Sequence, residues 1–289
     1  MNEVAWFRPH QLEEALALLE QYGEEARPVA GGSALALLLK QRLVQPRALI
    51  SLAGLAELRG IRQEPDGLHL GALTTHAEVE RLAGTAGVPP LLVETYRRVA
   101  TRRVRNQATV GGGLAHADPA QDPPAALLAL EARVRLVGPR GERIVPLDQF
   151  FVDYYETVLQ PGELIREVIV PPQPSGSAGA YVKFLSRSVD DYATVAVAVQ
   201  LGLEGRVLTG VRVAFIAAGP TPRRAREVEA LLEGEVPRVG LLQEAGQLAS
   251  QVVEPLDDSR GSAAYKREMA GVMLERAVRL AVERARSGQ

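Results

Sequence analysis

Two short glycine runs, 80 residues apart, constrain this chain more than any other feature. The first, Ala30-Gly31-Gly32-Ser33-Ala34, follows an extended piece (Arg27 to Ala30) and opens an apolar stretch, Ala34 to Leu43. The second, Thr109-Val110-Gly111-Gly112-Gly113, follows an arginine-rich stretch. Glycine lets a backbone turn sharply and bring its N–H groups close to an anion, and a helix N-terminus adds partial positive charge. Two such clusters can close on opposite sides of one diphosphate, whereas either alone is more often a tight turn. The common nucleotide fingerprints are absent. No G-x-x-x-x-G-K-S/T occurs, and the nearest approach to G-x-G-x-x-G, from Gly111, puts His116 at the third glycine position. A P-loop and a standard Rossmann site are therefore disfavoured.

Composition narrows the classes further. At 289 residues the chain is long enough for one large domain or two. Its 33 basic and 35 acidic side chains leave a net charge of −2, which gives no global electrostatic case for nucleic acid or an acidic membrane. Zero cysteines exclude disulfides, thiolate zinc sites, a cysteine nucleophile and iron–sulfur clusters held by the chain's own thiolates. No apolar run approaches the roughly 18 residues of a membrane span, and no basic segment leads into an apolar one at the N-terminus. The expectation is a soluble, cytoplasmic protein.

Periodicity predicts the organisation. Leu12, Ala15, Leu16 and Leu19 mark one helix face ended by Gly23, and Ala34 to Leu43 forms a second helix. With Arg27–Ala30 and Ala48–Leu52 as strands, the first fifty residues form a helix–strand–helix–strand unit. Further on come a strand at Leu68–Leu70, a short helix capped by Thr74 or Thr75, a helix from Pro89 to Ala100, and an apolar segment Ala125–Leu130. A hairpin follows across Gly138-Pro139-Arg140-Gly141, then a strand from Leu164 to Val170. Residues 173–179 read as a linker between units at 1–172 (subdomains about 1–54 and 55–172) and 180–289. The last unit carries strands Tyr181–Leu185, Thr194–Leu203 and Val207–Ala217. Helices follow at Pro222–Leu232 and Arg238–Val252, and a final helix has Tyr265, Met269, Val272, Met273, Ala277 and Leu280 as its buried stripe.

Several side chains could carry chemistry. Asp118 and Asp122 lie just beyond the second glycine run, where a carboxylate can accept from sugar hydroxyls; capping or turn formation accounts equally well for Asp118. The four histidines, His10, His69, His76 and His116, match no metal-ligand spacing. Arg97, Arg98, Arg102, Arg103 and Arg105 put five guanidinium groups in nine residues, a solvated helix end or a docking patch. Lys183 and Tyr192, in Asp190-Asp191-Tyr192-Ala193-Thr194, stand in the last unit. A tyrosine there can stack on a planar ring, though a packed or capping role is commoner.

In order along the chain, these segments resemble the FAD-binding medium subunit of three-subunit molybdenum hydroxylases, the group containing aerobic carbon monoxide dehydrogenase. Arg27-Pro28-Val29-Ala30-Gly31-Gly32 with Leu39-Lys40-Gln41-Arg42-Leu43 is similar to that family's first diphosphate segment. Val104 to Gly112 is similar to its second, which Asp118-Pro119 and Asp122 continue. Pro161-Gly162-Glu163-Leu164, Asp190-Asp191-Tyr192-Ala193, and Tyr265-Lys266-Arg267 with Met269-Ala270-Gly271-Val272 complete the order. Position 34 is alanine, not serine, and Gly113 stands where asparagine or serine is frequent.

The resemblance implies an α+β fold: a two-subdomain FAD-binding unit of the vanillyl-alcohol-oxidase type, then a domain with a small antiparallel sheet and helices. It implies noncovalent FAD, held by backbone groups of Ala30, Gly31, Gly32, Ser33 and Ala34 and of Thr109, Gly111, Gly112 and Gly113. Asp122 would serve the sugar or ribityl region, Asp118, Ile165 and Lys183 would contact the cofactor elsewhere, and Tyr192 would lie near the isoalloxazine. No side chain is catalytic and no metal is bound. The implied partners are a small subunit with iron–sulfur clusters and a large subunit with the molybdenum cofactor, arranged as a dimer of heterotrimers. Electrons would leave to a quinone, NAD or oxygen. Alternatives are a freestanding FAD oxidase or dehydrogenase, and a flavin-free structural subunit.

Overall fold

The computed structural model of the chain describes residues 4–186, 188 and 190–288; positions 1–3 and 289, the outermost ends of the expected units, lie outside it. The chain opens with β1 (Ala5–Phe7), α1 (Leu12–Tyr22), β2 (Ala26–Val29), α2 (Leu35–Lys40) and β3 (Ala48–Ser51). The strands form a parallel sheet in the order β1-β3-β2. Leu12, Ala15 and Leu19 bury the expected face of α1, and Gly23, at φ +51°, ends it by donating its N–H to the Leu19 carbonyl. Helix α2 is shorter than its apolar stretch suggested. It has no buried residue, Arg42 takes φ +58°, and Leu37 and Leu43 stay exposed.

The next segment holds β4 (Ile61–Glu64), β5 (Gly67–Gly71), α3 (His76–Glu80), α4 (Pro90–Arg97), α5 (Arg102–Arg105), α6 (Val110–His116) and α7 (Pro123–Ala129). It continues with β6 (Arg133–Gly138), β7 (Gly141–Pro146), β8 (Phe151–Asp153), β9 (Glu156–Thr157) and β10 (Leu164–Val170). Five of these strands make an antiparallel sheet, β4-β5-β10-β6-β7. Of the two expected caps, Thr75 is the one used: its hydroxyl accepts from Glu78 N–H while Glu78 reciprocates in a capping box.

The last segment runs β11 (Ala178–Phe184), β12 (Val195–Glu204), β13 (Val207–Ile216), β14 (Arg223–Arg224), α8 (Arg226–Leu232), α9 (Val239–Val252) and α10 (Ala263–Ser287). Its four strands are antiparallel in sequence order. Ala178 and Gly179, expected in the linker, already pair in β11 with Leu201 and Gln200. The buried face of α10 is centred on Ala270, Met273, Leu274, Ala277, Val278 and Ala281. The expected stripe is therefore displaced: Tyr265 is exposed, and Met269, Val272 and Leu280 flank the core.

The fully buried helix α7 joins the segments. One apolar cluster runs from Leu68, Leu70 and Val168 of the five-stranded sheet through Leu127 and Leu128 to Ala196, Ala198 and Ile216 of the four-stranded one. Ion pairs bridge the same seam, Arg212 and Arg224 to Glu131 at 2.8 and 2.9 Å and Arg284 to Glu94 at 2.6 Å. The candidate site lies along this seam.

Candidate functional site

The two glycine runs meet. A Cβ on Gly31 would lie 1.8 Å from the Gln107 carbonyl oxygen and 3.2 Å from Ala108 Cα, so only glycine lets these backbones touch. A Cβ on Gly112 would lie 3.4 Å from the Ala30 methyl and 2.7 Å from Thr109 Oγ1. Gly32 takes φ +72° and turns the chain into α2.

Their donors differ in availability. The glycines of the second run form the first turn of α6, and that turn is already satisfied. Val110 N–H donates to the Thr74 carbonyl and Gly111 N–H to Ala72, both at 2.9 Å; Gly112 N–H donates to Thr109 Oγ1 at 3.1 Å and Gly113 N–H to the Thr109 carbonyl at 2.9 Å. The N–H groups of Gly31, Gly32, Ser33 and Ala34 find no acceptor among the described residues, and Ala34 at the N-cap supplies no side-chain one. Four adjacent unsatisfied donors, with no acidic residue between Arg97 and Ala117 opposite them, suit an anion. The residues present therefore fit a diphosphate, the first run as donors and the second as the wall that only glycine keeps thin.

Asp122 and Lys183 face each other across the seam. Lys183 Nζ donates to the Asp122 carboxylate at 3.0 Å and to the Arg98 carbonyl at 3.2 Å, and the Tyr181 hydroxyl donates to Asp122. Both side chains of the ion pair are at most 5% exposed. Burial pushes the Asp122 carboxyl up, and the Lys183 charge and Tyr181 pull it back. Ile165 is buried in β10 beside Leu136. The next residue carries the strand into the site: the Arg166 carbonyl accepts from Ala72 N–H, whose own carbonyl accepts from Gly111.

Asp118 makes a turn, accepting from Ala120 N–H at 2.9 Å through Oδ1, while Oδ2 meets the Tyr155 hydroxyl at 3.5 Å. Tyr192 is 44% exposed, with the Arg260 guanidinium 5.5 Å from its ring centre. Packing about its hydroxyl, then the charges of Asp118, Tyr155 and Asp122, push it up to about 12. His116 packs 5.3 Å from the Tyr155 ring, and burial lowers its pKa. Beneath α6 sits His76, with neither ring nitrogen hydrogen-bonded, edge-on to Tyr96 at 5.0 Å. Burial pushes it down to about 4. No group of three or more His, Asp or Glu residues is placed to hold a metal among the described residues.

The sequence singled out the glycines, both aspartates, Lys183 and Tyr192, and the fold brings them to one seam. Tyr155, Tyr181 and Arg260 were missed. Each reaches its partner from a segment remote in sequence, and nothing local marks it.

Residues 2–173 match the family described as FAD binding domain in molybdopterin dehydrogenase, and residues 180–281 match the CO dehydrogenase flavoprotein C-terminal domain. The chain belongs to the flavoprotein subunits of molybdenum hydroxylases. It is 37% identical to the carbon monoxide dehydrogenase medium chain of Afipia carboxidovorans, covering 98% of both chains. It is 32% identical to the glyceraldehyde dehydrogenase medium chain of Sulfolobus acidocaldarius, covering 95% of this chain and 97% of that one. The fold superposes on a subunit of the solved carbon monoxide dehydrogenase of Hydrogenophaga pseudoflava with a TM-score of 0.95, at 38% identity and 98% coverage of both. Quinoline 2-oxidoreductase from Pseudomonas putida 86 gives a TM-score of 0.92 at 30% identity and the same coverage. These relatives are named for different substrates, as expected of a flavoprotein fold that serves many hydroxylases.

Proposed function

We propose that this chain is the FAD-carrying electron-transfer subunit of a molybdenum hydroxylase, taking electrons from an iron–sulfur partner and passing them to an external acceptor. The substrate would be oxidised on a large subunit. The observation that carries this reading is the row of free N–H donors at Gly31–Ala34 closing on the second glycine run. When bound, FAD supplies the chemistry that lets electrons enter singly and leave singly or in pairs.

The chain's own residues bind and orient. Gly31 to Ala34 donate to the diphosphate, and Thr109 and Gly111–Gly113 form the opposing wall. Asp122, held by Lys183 and Tyr181, presents a fixed carboxylate to the sugar side; Ile165 closes the floor, and Tyr192, backed by Arg260, faces the ring system. No proton transfer by a side chain is required. The acceptor is a quinone, NAD or oxygen, the assembly a dimer of heterotrimers, and the compartment the cytoplasm. The functional units follow residues 1–172 and 180–289.

The test is flavin analysis of the full chain co-purified with its partner subunits. Equimolar FAD, released intact by denaturation, supports the reading. An assembled, folded complex that contains no flavin and cannot be loaded refutes it.

A further inference from the structure

From Arg97 to Ala117 the chain carries five arginines and no acidic residue. One is tied down: Arg105 donates through Nε to Glu80 at 3.0 Å and through Nη1 to the Val99 and Ala100 carbonyls, each at 2.9 Å. The other four, Arg97, Arg98, Arg102 and Arg103, are exposed, and their side chains have no ion-pair or hydrogen-bond partner among the described residues. Elsewhere some exposed arginines meet acids, as Arg47 meets Glu25 and Arg226 meets Asp148, and others, such as Arg42, Arg206 and Arg238, meet none among the described residues; what sets this segment apart is four unpaired ones within seven residues.

Helix physics accounts for only half the cluster. Arg97 and Arg98 end α4, where the dipole favours cations. Arg102 and Arg103 lie in α5, a single turn of four residues whose two ends coincide, so a helix dipole gives no reason for them to be there. Four clustered like charges also repel one another. The segment is nonetheless fixed in place, by the Thr101 cap on Val104 and by Arg105. It forms the lip of the cofactor seam, because the Arg98 carbonyl accepts from Lys183 Nζ and Gln107 presses on Gly31.

We propose that Arg97, Arg98, Arg102 and Arg103 are the docking face for an acidic surface on the electron-donating iron–sulfur subunit. The inference rests on the functional reading above. A protein that hands electrons to this seam must approach its lip, and there it meets four guanidinium groups with no internal partner. Arginine suits the task, since its planar fork binds carboxylates in pairs and its field steers an oppositely charged partner. The cofactor does not need these groups, because the donors at Gly31–Ala34 face its anionic centre. Nucleic acid is a poor occupant, since the net charge is −2 and aromatics are only 4% of the chain.

The test measures association of the full chain with the purified iron–sulfur subunit across a range of ionic strength. Arg97→Gln/Arg98→Gln, Arg102→Gln/Arg103→Gln and the fourfold variant are compared with wild type. The fourfold variant should associate at least about tenfold more slowly at low salt and lose most of its salt dependence. Flavin content and melting temperature should stay at wild-type values. If the fourfold variant does not fold, the two double variants carry the test, each with an intermediate loss. Wild-type rates and salt slopes in folded variants overturn the proposal, as does loss of FAD with association intact. A wild-type chain that binds FAD but not the iron–sulfur subunit would refute the functional reading as well, and is told apart by that control.

Discussion

Gly31→Ala tests the convergence of the two glycine runs with a single methyl group. Gly31 has no positive φ, so the substitution costs nothing in backbone conformation and acts through space alone. The added Cβ would lie 1.8 Å from the Gln107 carbonyl oxygen and 2.7 Å from its carbon. Reaching even a tight 3.0 Å contact requires the two backbones to part by 1.2 Å, that is 3.0 minus 1.8. Neither side is a flexible side chain, so the strain must move main chain, at about 1–3 kcal/mol for overpacking of this kind. If the seam opens to relieve it, the donors at Gly31–Ala34 leave their wall and FAD affinity should fall roughly 5- to 150-fold. Fluorescence titration of FAD into the complex reads this directly. Gly205→Ala is the control. It sits in the β12–β13 turn with φ +63° and nothing within 4 Å, so it should cost stability through conformation alone and leave FAD affinity unchanged. Equal FAD affinity in Gly31→Ala and wild type would refute the convergence argument.

Two further outcomes follow from the buried polar groups. Lys183→Met strips the cation from a buried Asp122 and should cost about 3–5 kcal/mol in urea unfolding, with part regained in Lys183→Met/Asp122→Asn; equal losses in both would show that the pair is not coupled. His76 titrates near 4 when folded against an ordinary 6.5, so its neutral form is favoured by folding. The stability it carries is full above pH 6.5 and is lost as pH falls toward 4. His76→Phe, which removes the titrating group, should therefore gain about 2 kcal/mol over wild type on going from pH 8 to pH 5. Parallel stability curves would contradict the burial of a neutral imidazole.

Much of the scaffold is legible in the sequence because local signals and tertiary demands agree. Leu12, Ala15 and Leu19 before Gly23, and the hairpin at Gly138–Gly141, each follow one period and end on the residue their turn requires. Strand β4 escapes because Ile61-Arg62-Gln63-Glu64 has almost no apolar pattern. It is held by pairing with β5 and by Arg62 reaching Glu167 at 2.6 Å. Helix α2 ends early because Arg42 turns left-handed, which apolar content does not foretell. Gly111–Gly113, read as a diphosphate cradle or a tight turn, forms the first turn of a helix, since Thr109 caps it and the Ala72 and Thr74 carbonyls take its first donors. Local pattern singles out the glycines and Asp122, whereas Lys183 enters only through the family resemblance, because its contact with Asp122 spans 61 residues. Contacts between remote segments leave no local mark, as where Tyr181 joins Asp122 and Arg260 joins Tyr192.

The most direct measurement is an experimental structure of the assembled complex with FAD bound. The account predicts diphosphate oxygens roughly 3 Å from the N–H groups of Gly31 to Ala34, with Thr109–Gly113 as the opposite wall and Tyr192 beside the ring system. A diphosphate bound elsewhere, with those four N–H groups turned to solvent, would contradict it.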